Sequence, residues 1–457
     1  MPIDVSPRRP LPRVRALLWS ATAGAVLAAC AVAACSGASG ATTRLADAPK
    51  PDGRLFTQMP SAYTGVTFVN RVTDTQRQNV FTYRNHYNGG GVALGDLTGK
   101  GLPDVVFTGN ESGPRLYLNE GRFRFRDVTR EAGLVHNGAW TTGVTLADVS
   151  GDGRLDIYVC HAGNDSTVRR ANQLFVNQGA DRNGVPHFRE MAREYGVADG
   201  GYGTQAVFFD YDRDGYLDLL VVRNSPRPVT SFGMRNTRNV RDSLGGARLY
   251  HSEPGPNGTR RFADVTARAG VYSPEIAFGL GVGVADVDRD GWPDVYVSND
   301  FFERDYLYLN NRDGTFREVA DRAMPYMSYY SMGMDIADAN NDGWPDVYTT
   351  DMLPEGEQRL RTMGAFEGWD VYQSKVRNGY GHQLMRNMLQ RNNGVGPAAA
   401  GAGGLTFSDV GQMAGVARTD WSWSALIADL DLDGRKDVYV TNGLARDVTS
   451  QDRKSVV

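Results

Sequence analysis

The 457-residue chain has 54 glycines, 41% hydrophobic and 10% aromatic residues, the composition of a turn-rich globular protein and not of a disordered or collagen-like one. Its three cysteines exclude a disulfide framework. A formal charge of -4 with no basic stripe excludes an electrostatic nucleic-acid binder.

Residues 1–35 read as an export signal, because Arg8, Arg9, Arg13 and Arg15 precede an apolar, small-residue stretch from Ala16 that is too short for a membrane span. The stretch ends in two lipoprotein-like cleavage boxes, Leu27-Ala-Ala-Cys30 and Val32-Ala-Ala-Cys35. Cys35 is the favoured lipidation site and Cys30 the alternative; a plain secretory signal with incidental cysteines is the competing reading. Residues 36–54, rich in Gly, Ala, Ser and Pro, form a flexible tether. Losing the signal removes four arginines and one aspartate, so the balance moves from -4 to -7. That acidity is concentrated in loops.

Residues 55–457 are expected to form one repeat domain. Its first repeat contains Asp96-Leu-Thr-Gly-Lys100-Gly-Leu-Pro-Asp104. Five later copies keep an oxygen donor at loop positions 1, 3, 5 and 9, with glycine at position 6. They are Asp148, Ser150, Asp152 and Asp156; Asp210, Asp212, Asp214 and Asp218; Asp286, Asp288, Asp290 and Asp294; Asp338, Asn340, Asp342 and Asp346; and Asp429, Asp431, Asp433 and Asp437. Hard oxygens on a tight turn suit Ca²⁺, which takes about 6–8 such ligands at about 2.3–2.6 Å. Without an ion, the carboxylates repel one another. An EF-hand is excluded, since its bidentate Glu at position 12 is replaced by Val159, Val221, Val297, Thr349 and Val440. In the first loop Lys100 occupies position 5, so that loop is expected to be metal-free, with the ammonium pairing Asp96 and Asp104. It is also one residue short of a phosphate loop, and Gly101 replaces the required Ser/Thr.

Each loop lies between β-branched and aromatic runs of strand length, such as Gly281-Val-Gly-Val-Ala285 and Val295-Tyr-Val-Ser298, and is therefore the turn of a hairpin. A second strand pair follows, as in Tyr306-Leu-Tyr-Leu-Asn310 and Thr315-Phe-Arg-Glu-Val319 around Asp313-Gly314. Four short antiparallel strands per unit predict an all-β fold, a β-propeller with six visible repeats and a seventh blade missing or incomplete. Two insertions interrupt the spacing. Asn224 to Arg248 carries Arg227, Arg235, Arg238 and Arg241; Met352 to Tyr380 carries Arg359, Arg361, Trp369 and Tyr372. Such arginines are commonly just solvated, and such aromatics can pin a loop to its scaffold. The functional reading is a ligand surface at Arg359, Trp369 and Tyr372, with the aromatics as stacking faces. The six histidines (86, 136, 161, 187, 251, 382) show no metal-ligand spacing, and Gly-x-Ser-x-Gly, His-Glu-x-x-His and Walker motifs are absent from the mature sequence.

From about Leu55 to Asp452 the chain resembles the FG-GAP/VCBS repeat lipoproteins of bacteria related to the cartilage acidic protein (ASPIC/UnbV) family. The resemblance rests on Thr64-Gly-Val66, Tyr87-Asn-Gly-Gly-Gly-Val92, the Asp127 to Leu134 and Asp264 to Val271 closings, Thr350-Asp-Met-Leu-Pro354, Arg386-Asn-Met-Leu389, Asp420-Trp-Ser-Trp423 and Thr441-Asn-Gly443. It implies a calcium-stabilised propeller, lipid-anchored at the cell envelope, without established catalysis. The expected function is non-enzymatic: binding or scaffolding of a glycan or protein ligand, with no nucleic-acid partner and membrane association through the lipid only. The alternative is a calcium-dependent carbohydrate-active enzyme such as a polysaccharide lyase. Only about 20 residues follow the last loop, without the Leu-Tyr-Leu-Asn strand of earlier repeats, so the chain is expected to be C-terminally truncated; the alternative is that residues 55–90 supply the missing strands.

Overall fold

The structure is a computed structural model that describes residues 53–443 apart from Asp165, Thr167, Val168, Met234, 364–366 and 397–402. The export signal, Cys30, Cys35, nearly all of the tether and the tail beyond Gly443 lie outside the described residues.

Hydrophobic runs separated by aspartate loops fold as a succession of antiparallel sheets. The first contains β1 (Val92–Gly95), β2 (Asp104–Gly109), β3 (Gly113–Asn119) and β4 (Phe125–Asp127); the second, β5 (Trp140–Ala147), β6 (Asp156–Ala162), β7 (Gln173–Ala180) and β8 (Pro186–Glu190). The third contains β9 (Gly203–Phe209), β10 (Asp218–Arg223), β11 (Arg248–Pro254) and β12 (Arg260–Asp264); the fourth, β13 (Gly279–Ala285), β14 (Asp294–Asn299), β15 (Tyr306–Asn310) and β16 (Phe316–Glu318). A short parallel ribbon of β17 (Met327–Ser328) and β20 (Gln383–Leu384) flanks the fifth sheet, built from β18 (Met334–Ala337), β19 (Asp346–Thr349), β21 (Met388–Val395) and β22 (Leu405–Asp409). The sixth sheet has two described strands, β23 (Ser422–Ala428) and β24 (Asp437–Asn442). Within each four-stranded sheet, neighbours in sequence are neighbours in space, and the first strand of every sheet packs beside the first strand of the next. The fold is all-β and propeller-like.

The second strand of each sheet is the reason the sheets stack. Successive side chains of a strand point to opposite faces, and β6, β10, β14 and β19 are buried along their whole length. Ile157 and Val159 thus join Val106 and Leu116 of the first sheet, while Tyr158 and Cys160 on the other face join Leu219 and Val221 of the third. The same division places Val295 and Val297 against Leu220 and Leu249, and Tyr296 against Val347 and Phe407. One core layer therefore lies between each consecutive pair of sheets.

The described ends are different. Val92 and Leu94 of β1 are 56% and 66% exposed, and Leu426 and Tyr439 of the sixth sheet are 46% and 47% exposed. Residues 55–90 contribute no strand among the described residues. They run as turns, a helix at Ser61–Thr64 and a 3-10 turn at Arg84–Tyr87, packing across the first two sheets through Phe68 stacked on Phe107 at 5.0 Å and His86 on Trp140 at 4.9 Å. A single ring contact, Phe56 to Tyr439 at 5.7 Å, touches the sixth sheet. The alternative in which this segment supplies the missing strands is thus not met among the described residues.

A repeated polar bond crosses the core layers. An asparagine on the third strand of one sheet donates its amide to the carbonyl of loop position 2 in the preceding sheet: Asn177 to Leu97 at 3.2 Å, Asn310 to Tyr211 at 2.8 Å and Asn392 to Val287 at 2.8 Å. In the third sheet Ser252 takes this place, and Asn119 of the first sheet reaches only Pro103 of its own loop. Asn310→Ala, which orphans buried groups, is expected to cost about 1–3 kcal/mol in urea unfolding. Asn119→Ala should cost clearly less, and equal losses would remove the inter-sheet bond as the cause.

Candidate functional site

The aspartate loops are built alike. Position 1 accepts the backbone N–H groups of positions 5 and 6, as Asp286 does from Asp290 at 2.9 Å and Gly291 at 2.8 Å. To present both N–H groups to one carboxylate the chain must reverse sharply, and positions 4 and 6 enter the left-handed region in every loop. Arg213, Arg289, Asn341 and Leu432 have φ of 59°, 56°, 60° and 63°, and Gly291 has φ of 88°. The glycine at position 6 was legible in the sequence; the strain at position 4 was not.

Position 9 has a second task that sequence reasoning missed. The Asp294 carboxylate, 1% exposed, accepts the N–H of Val287 at 2.9 Å and that of Asn310 at 2.8 Å, so it ties its own loop to the third strand. Asp104, Asp156, Asp218 and Asp346 repeat this pair of bonds. Asp437 accepts from Leu430 at 3.0 Å.

The loops differ in what they could offer a cation. Carboxylate oxygens from Asp210, Asp212 and Asp214, from Asp286, Asp288 and Asp290, and from Asp429, Asp431 and Asp437 each lie within 4.8 Å of one another. Such all-oxygen groups suit a hard cation such as calcium. Asp433 accepts no side-chain donor among the described residues; its backbone N–H caps Asp429 at 3.0 Å. In the second loop Arg154 pairs with Asp152, and Ser150 lies 3.5 Å from Asp148. In the fifth, the Asn340 amide donates to Asp342 at 2.8 Å, while Asp338 caps Asp342 and Gly343. In the third, His251 enters the group, its Nδ1 3.0 Å from Asp218 and 3.4 Å from Asp212. The histidine lies 33 residues beyond Asp218, and only strand pairing brings it back, which is why no spacing announced it.

Lys100 departs from expectation. Its ammonium is directed to the Gly184 carbonyl of the second sheet at 3.5 Å, not onto Asp96 or Asp104. Burial is the largest single influence on Asp96 and pushes its carboxyl up, but the backbone N–H groups of Gly101, Lys100 and Thr98 together with the Thr98 hydroxyl outweigh it and hold the carboxyl low. The backbone already satisfies the carboxylate that the lysine was expected to meet.

Burial pushes the Asp294 carboxyl up to about 7, with repulsion from Asp288 and Asp290 adding to it against the N–H donors. Burial likewise raises Asp156 to about 6, and raises Asp218, Asp104 and Asp346.

The proposed ligand residues do not all converge. Trp369, 70% exposed, stacks on Tyr372 with ring centres 5.4 Å apart on helix Trp369–Arg377. Tyr372 is fixed by its hydroxyl 2.7 Å from His382 Nδ1. The two rings line an open hollow of about 570 Å³ with Tyr329, Glu367, Gln383 and Met385. The helix is anchored by Lys375, whose buried ammonium lies 2.8 Å from Glu367 and 3.4 Å above the Tyr329 ring. Arg359 lies elsewhere, paired with Asp420 beside Thr419 and Val438.

The FG-GAP-like repeat family matches residues 96–159 and 286–349. Both windows start at the first aspartate of a loop and end inside the second strand of the following sheet. Human cartilage acidic protein 1 is 35% identical over 140 residues, covering 30% of this chain and 20% of that protein; the Xenopus tropicalis protein is 28% identical over 281 residues, 57% of this chain and 40% of its own. The chain carries FG-GAP-like repeats over these residues and is similar to cartilage acidic protein 1. Its matched segments span less than half the length of these curated relatives. The solved structure of an Agrocybe aegerita lectin, described as recognising non-reducing terminal N-acetylglucosamine, overlaps 77% of this chain and 70% of its own at 16% identity; its TM-score of 0.36 is too low to bear on fold or ligand.

Two tests follow from the FG-GAP loops. Raised folded-state carboxyls hold protons that the unfolded chain releases near 3.8, so metal-free stability should fall as pH climbs from about 4 to about 7. Over that window the gap in melting temperature between calcium-loaded and chelated protein is expected to widen, and a constant gap would count against the loops. Asp294→Asn, which turns an NH₂ toward a backbone N–H, should lose about 1–3 kcal/mol even in chelator; a loss seen only with calcium would show that position 9 serves the ion alone.

Proposed function

We propose that this FG-GAP-like chain is a calcium-stabilised propeller, lipid-anchored at the bacterial cell envelope, that binds a glycan or protein ligand without catalysis. The observation that carries the ligand part is the exposed Trp369 and Tyr372 stack, held rigid by His382 and Lys375 over an open, mainly apolar hollow. Flat, exposed aromatic faces fixed on a scaffold suit the apolar side of a sugar ring or a peptide anchor. Calcium rests on the three acid groupings at Asp210, Asp286 and Asp429; the second and fifth loops, with fewer free carboxylates, would hold it more weakly. The anchor rests on the Cys35 and Cys30 boxes of the sequence.

The arginines of the insertions speak against the lyase alternative. Arg238 pairs with Glu303, Arg241 with Asp264, Arg227 with Glu275 and Arg359 with Asp420. Each is neutralised by its own acid, and these pairs do not gather into one polar cleft.

Glycan-array binding by the calcium-loaded protein tests the reading. Trp369→Ala is expected to weaken retained ligands by at least about tenfold, a loss of about 1.4 kcal/mol, with an unchanged melting temperature because the ring is largely exposed. Binding that survives the substitution would move the site elsewhere.

A further inference from the structure

The third aspartate loop differs from the others in one side chain that the repeat does not call for. In the first, second and fourth sheets, the residue just before the third-strand N–H that bonds to position 9 is Leu118, Val176 or Leu309, each packed in a core layer. The third sheet carries His251 at that register, followed by Ser252, whose N–H bonds to Asp218 at 2.8 Å. A place that elsewhere closes the core therefore presents an imidazole to the loop.

The geometry around that imidazole is that of a ligand set. His251 Nδ1 lies 3.0 Å from an Asp218 oxygen and 3.4 Å from an Asp212 oxygen, and one ligand atom from each of the three residues lies within 4.8 Å of the others. A first-row ion sits about 2.0–2.2 Å from nitrogen and carboxylate oxygen, so two donors sharing it stand about 3–3.5 Å apart. The ring is held edge-on against Tyr211 with centres 5.9 Å apart. Asp218 forms the buried floor: its Oδ1 accepts from Ser252 and its Oδ2 from Tyr211 at 3.2 Å, which fixes the carboxylate and leaves each oxygen a lone pair. Asp212 accepts the Asp214 N–H through Oδ1 at 3.3 Å and turns Oδ2 to the histidine. The His251 and Asp212 side chains are 18% and 24% exposed, so an ion can enter from solvent.

The charge of this group is left for an ion. Among the described residues, the ion pairs of Asp212 and Asp218 go to His251 and to no lysine or arginine. The second and fourth loops are different, with Arg154 on Asp152 and Arg312 on Asp290. A guanidinium only donates, whereas a neutral imidazole offers a lone pair. That nitrogen also sets the class of ion. Calcium takes oxygen ligands, while imidazole suits zinc, copper, nickel and iron.

We propose that His251, Asp212 and Asp218 form a site for a divalent late first-row ion, of which zinc is the representative, with water completing the coordination. The site shares Asp212 with the Asp210, Asp212 and Asp214 group but stands on its own donors, so it is independent of calcium in the other loops and of the ligand reading of Trp369.

The test titrates the metal-free, full-length chain with zinc chloride by calorimetry, and with cobalt chloride, whose visible absorption reports its coordination. Two variants are compared with the parent: His251→Gln, which can keep a hydrogen bond to Asp218, and His251→Leu, which restores the residue type of the other sheets. Zinc should bind the parent saturably. Losing a partner of a metal ligand already costs about 10–100-fold in affinity, so both variants should bind zinc at least about tenfold more weakly and lose the cobalt bands. Calcium titrated into the three proteins should behave alike, and the metal-free melting temperature of His251→Leu should match or exceed that of the parent. No saturable zinc binding by the parent, or zinc affinity and cobalt bands retained in both variants, would overturn the proposal. Zinc binding retained in His251→Gln alone, or calcium weakened as much as zinc, would overturn it too, by showing that the histidine shapes the loop and does not ligate.

Discussion

The buried carboxylate at loop position 9 is the constraint on which the rest depends. Asp294 is almost fully removed from water, and both of its oxygens are taken by backbone N–H groups, one from its own loop and one from the third strand. A carboxylate in an apolar layer is unfavourable unless it is bonded, so the loop and the third strand form around it together. Burial raises its affinity for protons, and repulsion from the other acids of the loop that it faces adds to the effect. The acid loop and the integrity of the sheet therefore meet at one carboxylate.

From this staple the inter-sheet order follows. The strand that begins at the aspartate is buried on both faces and feeds two core layers, and the asparagine held opposite it sends its amide to the preceding loop. Each sheet is thus finished by its neighbour. The third sheet shows how local chemistry can replace the pattern: Ser252 cannot reach across, and His251 beside it instead leans on Asp218 and Asp212. The described ends show what the arrangement leaves behind, with apolar side chains of β1 and β24 open to solvent and the Asn119 amide turned to its own loop.

The candidate ligand surface lies where the repeat is interrupted. Both insertions are secured by ion pairs and buried cations, Arg238 with Glu303 and Lys375 with Glu367, so the Trp369 and Tyr372 rings are held without being consumed by the fold. Loops on a rigid scaffold commonly carry function for this reason.

The sequence by itself determined the unit. Strand-length β-branched runs flanking an aspartate turn, with glycine at position 6, fix a hairpin through local geometry alone, and their repetition fixes an all-β succession of sheets. The fourfold strand order was legible for that reason. Tertiary structure decided everything that joins residues distant along the chain. It made position 9 a staple rather than one ligand among four, because the third-strand N–H it accepts comes from well outside the loop. It sent Lys100 to Gly184, separated Arg359 from Trp369, and brought His251 to Asp218. Each of these depends on which sheet packs against which, and that is set by burial across a whole core layer, a quantity no single stretch of sequence carries.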